Sequence, residues 1–247
     1  VLGGDLLNQC IASAYAVRAL ESPFLGLYGA CSTMAESLTL AALLVESGAA
    51  EKALAVTSSH FCSSERQFRF PLNYGGVRTP TAQHTATASG AALVGKQGGI
   101  HIVEVCIGRV VDLGVTDLNN MGAAMAPAAW DTLRQYFADT GTGPADYDKI
   151  ITGDLAQVGS DLLVRLAAEE GCDLRPRYTD CGLMLYDREG QKVDAGASGC
   201  GCSAAVMCAH FLPAMQRGEY KNRLLMVTGV LMSPPEGQQV ESIPGGA

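Results

Sequence analysis

The chain has 247 residues, of which 48% are hydrophobic and 17% charged, enough to bury a full core as one large domain or two fused halves. A formal net charge of −8 with no basic stripe argues against a nucleic-acid binder, since nothing is present to neutralise phosphates; only Arg66 to Arg78 is locally basic. Apolar runs are broken by Glu46, Glu51 and Lys52 and again by His210 and Pro213. None reaches the ~18 residues of a spanning helix, so there is no transmembrane segment and any membrane attachment is expected to be peripheral. No basic leader precedes an apolar segment, and nine cysteines on apolar stretches read as reduced thiols of a cytosolic protein.

In chain order, Val1 to Leu6 reads as the end of a buried strand turning into a helix from Asn8 to Leu20. Leu25, Leu27 and Tyr28 suit a second buried strand, Gly29 permits a sharp turn, and Ser32 or Thr33 can cap the helix that follows. Leu38, Ala41, Ala42 and Val45 then recur at helical spacing. Cys31 sits at that strand-to-helix joint, where a helix N-terminus lowers a thiol pKa and exposes a nucleophile. The plainer reading is a small buried residue filling the turn. A strand follows over Ala53 to Ser58, and Phe61 to Thr87 reads as a long loop covering a site. Gly90 to Val94 and Ile100 to Val105 suggest a hairpin about Gly98 and Gly99; Pro127 to Phe137 suggests a helix and Ile150-Ile151 a strand.

The chain also repeats itself. Ile150-Ile151-Thr152-Gly153-Asp154-Leu155 matches Val1-Leu2-Gly3-Gly4-Asp5-Leu6, and Cys202-Ser203 with Leu225 to Thr228 matches Cys31-Ser32 with Leu54 to Thr57. The insertion this requires in the second copy falls at Cys181 to Val193, an apparent hairpin turning at Arg188 to Gly190. The expected architecture is therefore a duplicated, layered α/β/α/β/α fold, with a first half at 1–125 whose N-terminal part is missing and a second half at 126–247.

Parallel strands joined by crossovers end on one edge, where ligands of α/β sheets bind, and this places Cys31, Asp5, His60, Asp154 and the Cys200–Cys202 loop together. Of the four histidines only His60 is well placed to serve a thiol, with an ordinary loop histidine as the alternative. Cys200 and Cys202 alone are a weak metal signal, and no metal site is expected. Arg66, Arg69 and Arg78 could grip the carboxylates of a small acidic ligand, or be solvated. The glycine-rich stretches fit neither a P-loop nor a dinucleotide fingerprint.

The duplication, the Gly-Ala-Cys-Ser elbow at 29–32 and the Gly-rich turn at its twin position resemble the thiolase-like fold of thiolases and ketoacyl-carrier-protein synthases. Gly-Asp-Leu-Leu-Asn-Gln at 4–9, Tyr-Gly-Ala-Cys-Ser-Thr at 28–33, Thr-Ser-Ser-His at 57–60, Glu-Arg-Gln-Phe-Arg at 65–69, Met-Ala-Pro-Ala-Ala at 125–129, Ser-Gly-Cys-Gly-Cys-Ser at 198–203 and Glu-Ser-Ile-Pro at 241–244 are similar, more narrowly, to the stage V sporulation protein AD family. Against the condensing enzymes the resemblance holds at Cys31 and fails elsewhere. Their His-x-x-Asn turn is replaced by Thr152 to Gln157, and their catalytic Asn falls on Gly201. The resemblance therefore implies a retired enzyme fold, with Cys31 a vestigial nucleophile, that binds dipicolinic acid (pyridine-2,6-dicarboxylate) for uptake into the developing spore. The alternative it leaves is a Cys-dependent acyltransferase. The implied contacts are Cys31, His60, Arg66, Arg69, Asp154 and Cys202. Asp5 and Asp154 would repel a dianion unless Ca²⁺ bridged them, or would hold the elbows in shape. The implied partners are membrane proteins of the same uptake system, at the cytoplasmic face of the forespore or spore inner membrane, and a second copy of the chain paired through Ala53 to Ser58.

Overall fold

The computed structural model describes residues 1–68, 78–232 and 241–247. Its first sheet contains β1 (Leu2–Gly4), β2 (Leu25–Gly26), β3 (Lys52–Ser59) and β5 (Ala88–Gly95), in the order β2-β1-β3-β5. β1 runs parallel to both β2 and β3, while β5 lies antiparallel along the whole of β3, from Lys52 opposite Gly95 to Ser59 opposite Ala88. The helices α1 (Ile11–Arg18) and α2 (Thr33–Glu46) make the parallel crossovers that such pairings require. A short helix α3 (Phe61–Phe68) follows β3 directly, and β4 (His84–Thr85) precedes β5.

The rest of the chain builds a second parallel sheet behind α4 (Met121–Thr140). It contains β6 (Lys149–Thr152), β7 (Tyr178–Asp180) and β9 (Arg223–Met226), in the order β7-β6-β9, connected through α5 (Ala156–Glu169), α6 (Cys181–Met184), α7 (Cys200–Val206) and α8 (Leu212–Gln216). β8 (Ala197–Ser198) pairs with β4, and β10 (Gly229–Val230) with β11 (Gly245–Gly246). Successive side chains of β6 point to opposite faces: Ile150 joins Trp130, Leu133, Phe137 and Leu163 of α4 and α5, whereas Ile151 joins Cys202, Met207 and Phe211. α4 and α5 touch backbone to backbone at Gly122 and Gly159, where a Cβ on either would collide with the other.

Several sequence expectations change. β2 is largely exposed, with Leu25 and Tyr28 about half accessible, because it is a short edge strand and only Leu27 turns inward. The 61–87 loop contains α3, hidden from periodicity because its inward positions are polar, Ser64 and Glu65. β5 forms, but pairs with β3 instead of turning back on residues 100–105. Those residues lie on the surface, with Val103 85% exposed; Glu104 there accepts a hydrogen bond from Tyr136, and Arg109 farther on pairs with Asp131. The 181–193 hairpin is instead α6 and a turn in which Asp187 accepts the Gly190 N–H. The strand expected to pair two copies, β3, is interior; the edges of that sheet among the described residues are β2 and β5. All nine cysteines are free, and no described helix is long and apolar enough to cross a membrane.

Candidate functional site

The elbow is made by Ala30, a non-glycine residue held at φ 51°, and not by Gly29, whose φ of −90° is ordinary. A Cβ at Gly29 would lie 2.6 Å from a Glu36 carboxylate oxygen, the end of a side chain that can swing aside. Ser32 and Thr33 do not cap α2. Their hydroxyls donate backward to the Gly29 and Ala30 carbonyls, at 2.6 and 2.7 Å, and so brace the turn. A left-handed alanine braced this way makes a strained strand-to-helix turn that presents Cys31 at the head of α2.

Cys31 at that joint is nevertheless buried, and its thiol is pushed well above the ordinary range, first by burial and then by the Asp154 carboxyl, with Cys200 adding to it. The sequence expectation of a lowered thiol pKa is overturned, because desolvation and a facing acid outweigh the dipole of α2. No imidazole is among the groups acting on the sulfur. Asp154 is fully enclosed, and burial raises it to about 7 against the pull of the Cys31 thiol and the Gly199 N–H. One oxygen accepts that N–H at 2.7 Å; the other closes no hydrogen bond. Its repeat twin behaves differently: Asp5 accepts the N–H of Leu7 and both the N–H and hydroxyl of Ser13, which fix the start of α1.

Cys202 is buried against the Gly153 carbonyl, and Cys200 donates to Ser58 at 3.1 Å; burial raises both thiols. No group of three or more His, Cys, Asp or Glu among the described residues could hold a metal. Gly201 packs flat against the other half of the chain. Its N–H donates to Ser59 Oγ at 3.1 Å, and a Cβ there would strike the Ala88 carbonyl and Ser59. The asparagine that the resemblance to condensing enzymes puts at this position has no room here. Gly201→Ala is expected to cost about 2 kcal/mol in a urea melt through overpacking; a loss under ~0.5 kcal/mol would show that α7 can shift.

His60 lies apart from Cys31, on the wall of a cleft of about 380 Å³ formed where β1, β3 and β5 end, with Asp5, Leu6, Leu7, Ser59, Ser64 and Ala88 around it. The Cys31–Asp154 pair is not in the cleft wall. Ser59 and Gly199 stand between, the latter close enough that its Cβ would sit 3.0 Å from Ser59 Oγ. The structure thus brings together Cys31 and Asp154, sets Cys202 beside them, and leaves His60 in a neighbouring chamber. Arg66 is exposed on α3, and Arg69 falls outside the described residues. Arg78 is not solvated: it pairs at 2.6 Å with the fully buried Glu65, donates to the Gln83 carbonyl and covers the Phe61 ring. Glu65 and Gly199 lie in stretches that carry the family resemblance, but nothing in the sequence announces the pairing of Glu65 with Arg78 or the contact of Gly199 with Asp154.

The layered α/β chain with its cysteine at a strand-to-helix joint has the thiolase-like fold, and solved structures agree. The 3-oxoacyl-(acyl carrier protein) synthase III of Pseudomonas aeruginosa matches all of this chain and 74% of its own, with a TM-score of 0.56 at 14% identity. That of Aquifex aeolicus gives 0.52 at 12%, over 99% and 74% of the two chains, and an OleA variant of Xanthomonas campestris 0.55 at 13%, over 100% and 74%. These likenesses show the fold alone.

Within that class the chain belongs to the stage V sporulation protein AD family, whose family model matches residues 1–247. It is 45% identical over 245 residues to stage V sporulation protein AD of Bacillus subtilis (strain 168), covering 99% of this chain and 72% of the relative.

Proposed function

We propose that this member of the sporulation family is a binding protein on a condensing-enzyme fold, taking dipicolinic acid and serving its uptake into the developing spore without acyl transfer. The observation carrying this reading is the Cys31–Asp154 pair. A nucleophilic cysteine works as a thiolate with an imidazole to move protons. Here the thiol is buried against a carboxyl, an arrangement that favours the protonated form, and Gly201 removes the expected amide. What remains usable is the neighbouring cleft, whose size lies within the roughly 300–1,000 Å³ of small-molecule sites.

The same reading places the protein at the cytoplasmic face of the forespore or spore inner membrane, attached peripherally through membrane proteins of the uptake system. The free β5 edge, with Leu93 65% exposed, offers a surface for pairing with a second copy. A Ca²⁺ ion accompanying the ligand would offset its double negative charge.

The test is calorimetric titration of the purified protein with dipicolinic acid, with and without Ca²⁺, and with isophthalate as a control of the same shape lacking the ring nitrogen. Saturable binding selective for the pyridine ligand is expected. No binding, together with turnover of an acyl-CoA and an acyl thioester on Cys31 by mass spectrometry, would return the chain to the condensing enzymes.

A further inference from the structure

Resting on that reading, we infer that one carboxylate of the ligand docks at the N-terminus of α3, on the N–H groups of Cys62 and Ser63 and the hydroxyl of Ser64, with His60 at the rim. The first four N–H groups of a helix have no partner within it. In α3 the Phe61 N–H donates to Thr87 Oγ1 at 3.0 Å and that of Ser64 to the His60 carbonyl at 3.1 Å. Those of Cys62 and Ser63 find no acceptor among the described residues, and they carry the positive end of the helix dipole.

A second, independent observation marks the same place. Ser64 is only 2% exposed and lines the cleft, yet its hydroxyl has no hydrogen-bond partner. A buried hydroxyl is rarely left so, and an acceptor brought by a ligand would satisfy it. The acids nearby do not forbid an anion. Asp5, which shares the cleft, has both oxygens occupied by three hydrogen bonds, and the Glu65 charge is balanced by Arg78. Leu6 and Leu7 supply an apolar wall for a flat ring. The helix start at Cys31, the other candidate for a carboxylate, is closed off by burial.

Two measurements on the full chain locate the ligand. Calorimetry with dipicolinic acid compares the protein with Ser64→Ala, and alkylation of the exposed Cys62 by iodoacetamide is followed with and without ligand, the exposed Cys106 serving as internal control. The expected result is roughly tenfold weaker binding for Ser64→Ala with unchanged melting temperature, as for loss of one hydrogen bond to a charged group. Alkylation of Cys62, and not of Cys106, should slow about tenfold at a ligand concentration ten times Kd. If the parent protein binds the ligand but Cys62 reacts at its free rate and Ser64→Ala binds equally well, the docking site is overturned while the binding function stands. If the parent protein does not bind, the underlying reading fails with it.

Discussion

Replacing Asp180 by asparagine is expected to lower the stability of the protein by about 3 kcal/mol. Four donors converge on this buried carboxylate: the Thr152 hydroxyl at 2.6 Å and the N–H groups of Leu155, Ala156 and Leu183 at 2.9, 3.0 and 3.2 Å. Burial raises Asp180 to about 6, and the four donors keep it from rising further, so at pH 7 it is largely ionised. Asparagine keeps one oxygen and turns its NH₂ toward donors on the other side. Leaving two buried N–H groups unsatisfied costs roughly 1–3 kcal/mol each. One of them belongs to Ala156, which sits at φ 54° and depends on that bond to hold a left-handed turn at the head of α5. A urea-melt difference below ~1 kcal/mol would mean the Asp180 cluster does not hold the turn.

Asp154→Asn should have the opposite sign, and only at high pH. The folded value of about 7 stands above the ordinary 3.8, so the folded state binds the proton more tightly than the unfolded chain. The stability this protonation contributes is full below about pH 4, declines as pH rises, and is gone above about 7. At about 1.4 kcal/mol per pH unit the loss approaches ~4 kcal/mol, an upper figure for a group coupled to Cys31. Asparagine cannot ionise, and its oxygen can keep the Gly199 N–H. Variant and parent should therefore be nearly equal at pH 4, with the variant more stable by up to ~4 kcal/mol at pH 8. Parallel stability curves from pH 4 to 8 would show that Asp154 is not held protonated.

The strand-and-helix plan was legible because it rests on backbone chemistry that residues announce. Gly4-Asp5 and Gly153-Asp154 mark the turns after β1 and β6, and the strand read over Ala53 to Ser58 is β3. The elbow at Cys31 was legible for the same reason, down to the position of the cysteine. Its electrostatics were not, because the acid that decides them lies 123 residues later and a sequence carries no measure of burial. α3 escaped notice for a related reason. Its buried face is polar, and Glu65 is stabilised by Arg78, a partner outside the helix that no periodicity reveals. The residues 100–105 read as the second strand of a hairpin about Gly98 and Gly99, but a glycine turn between two apolar stretches does not make them partners.

The contact between Gly201 and Ser59 has a consequence for the order in which the molecule is made. The inward face at the end of β3 and the start of β5 is covered by α7, with Gly90 close against the Ala204 carbonyl and Gly201 against Ala88 and Ser59. A ribosome must therefore add more than a hundred residues after β5 before that face meets its cover. Long-range closure of this kind is slow and leaves surface waiting. Ala53, Ala55 and Thr57 already pack under Ala41, Val45 and Met34 of α2, so the part left waiting is Ser59, Ala88 and Gly90, small or hydroxylated residues in place of large apolar ones. The close packing that α7 demands in the finished protein thus also gives the nascent chain a face with little to stick to.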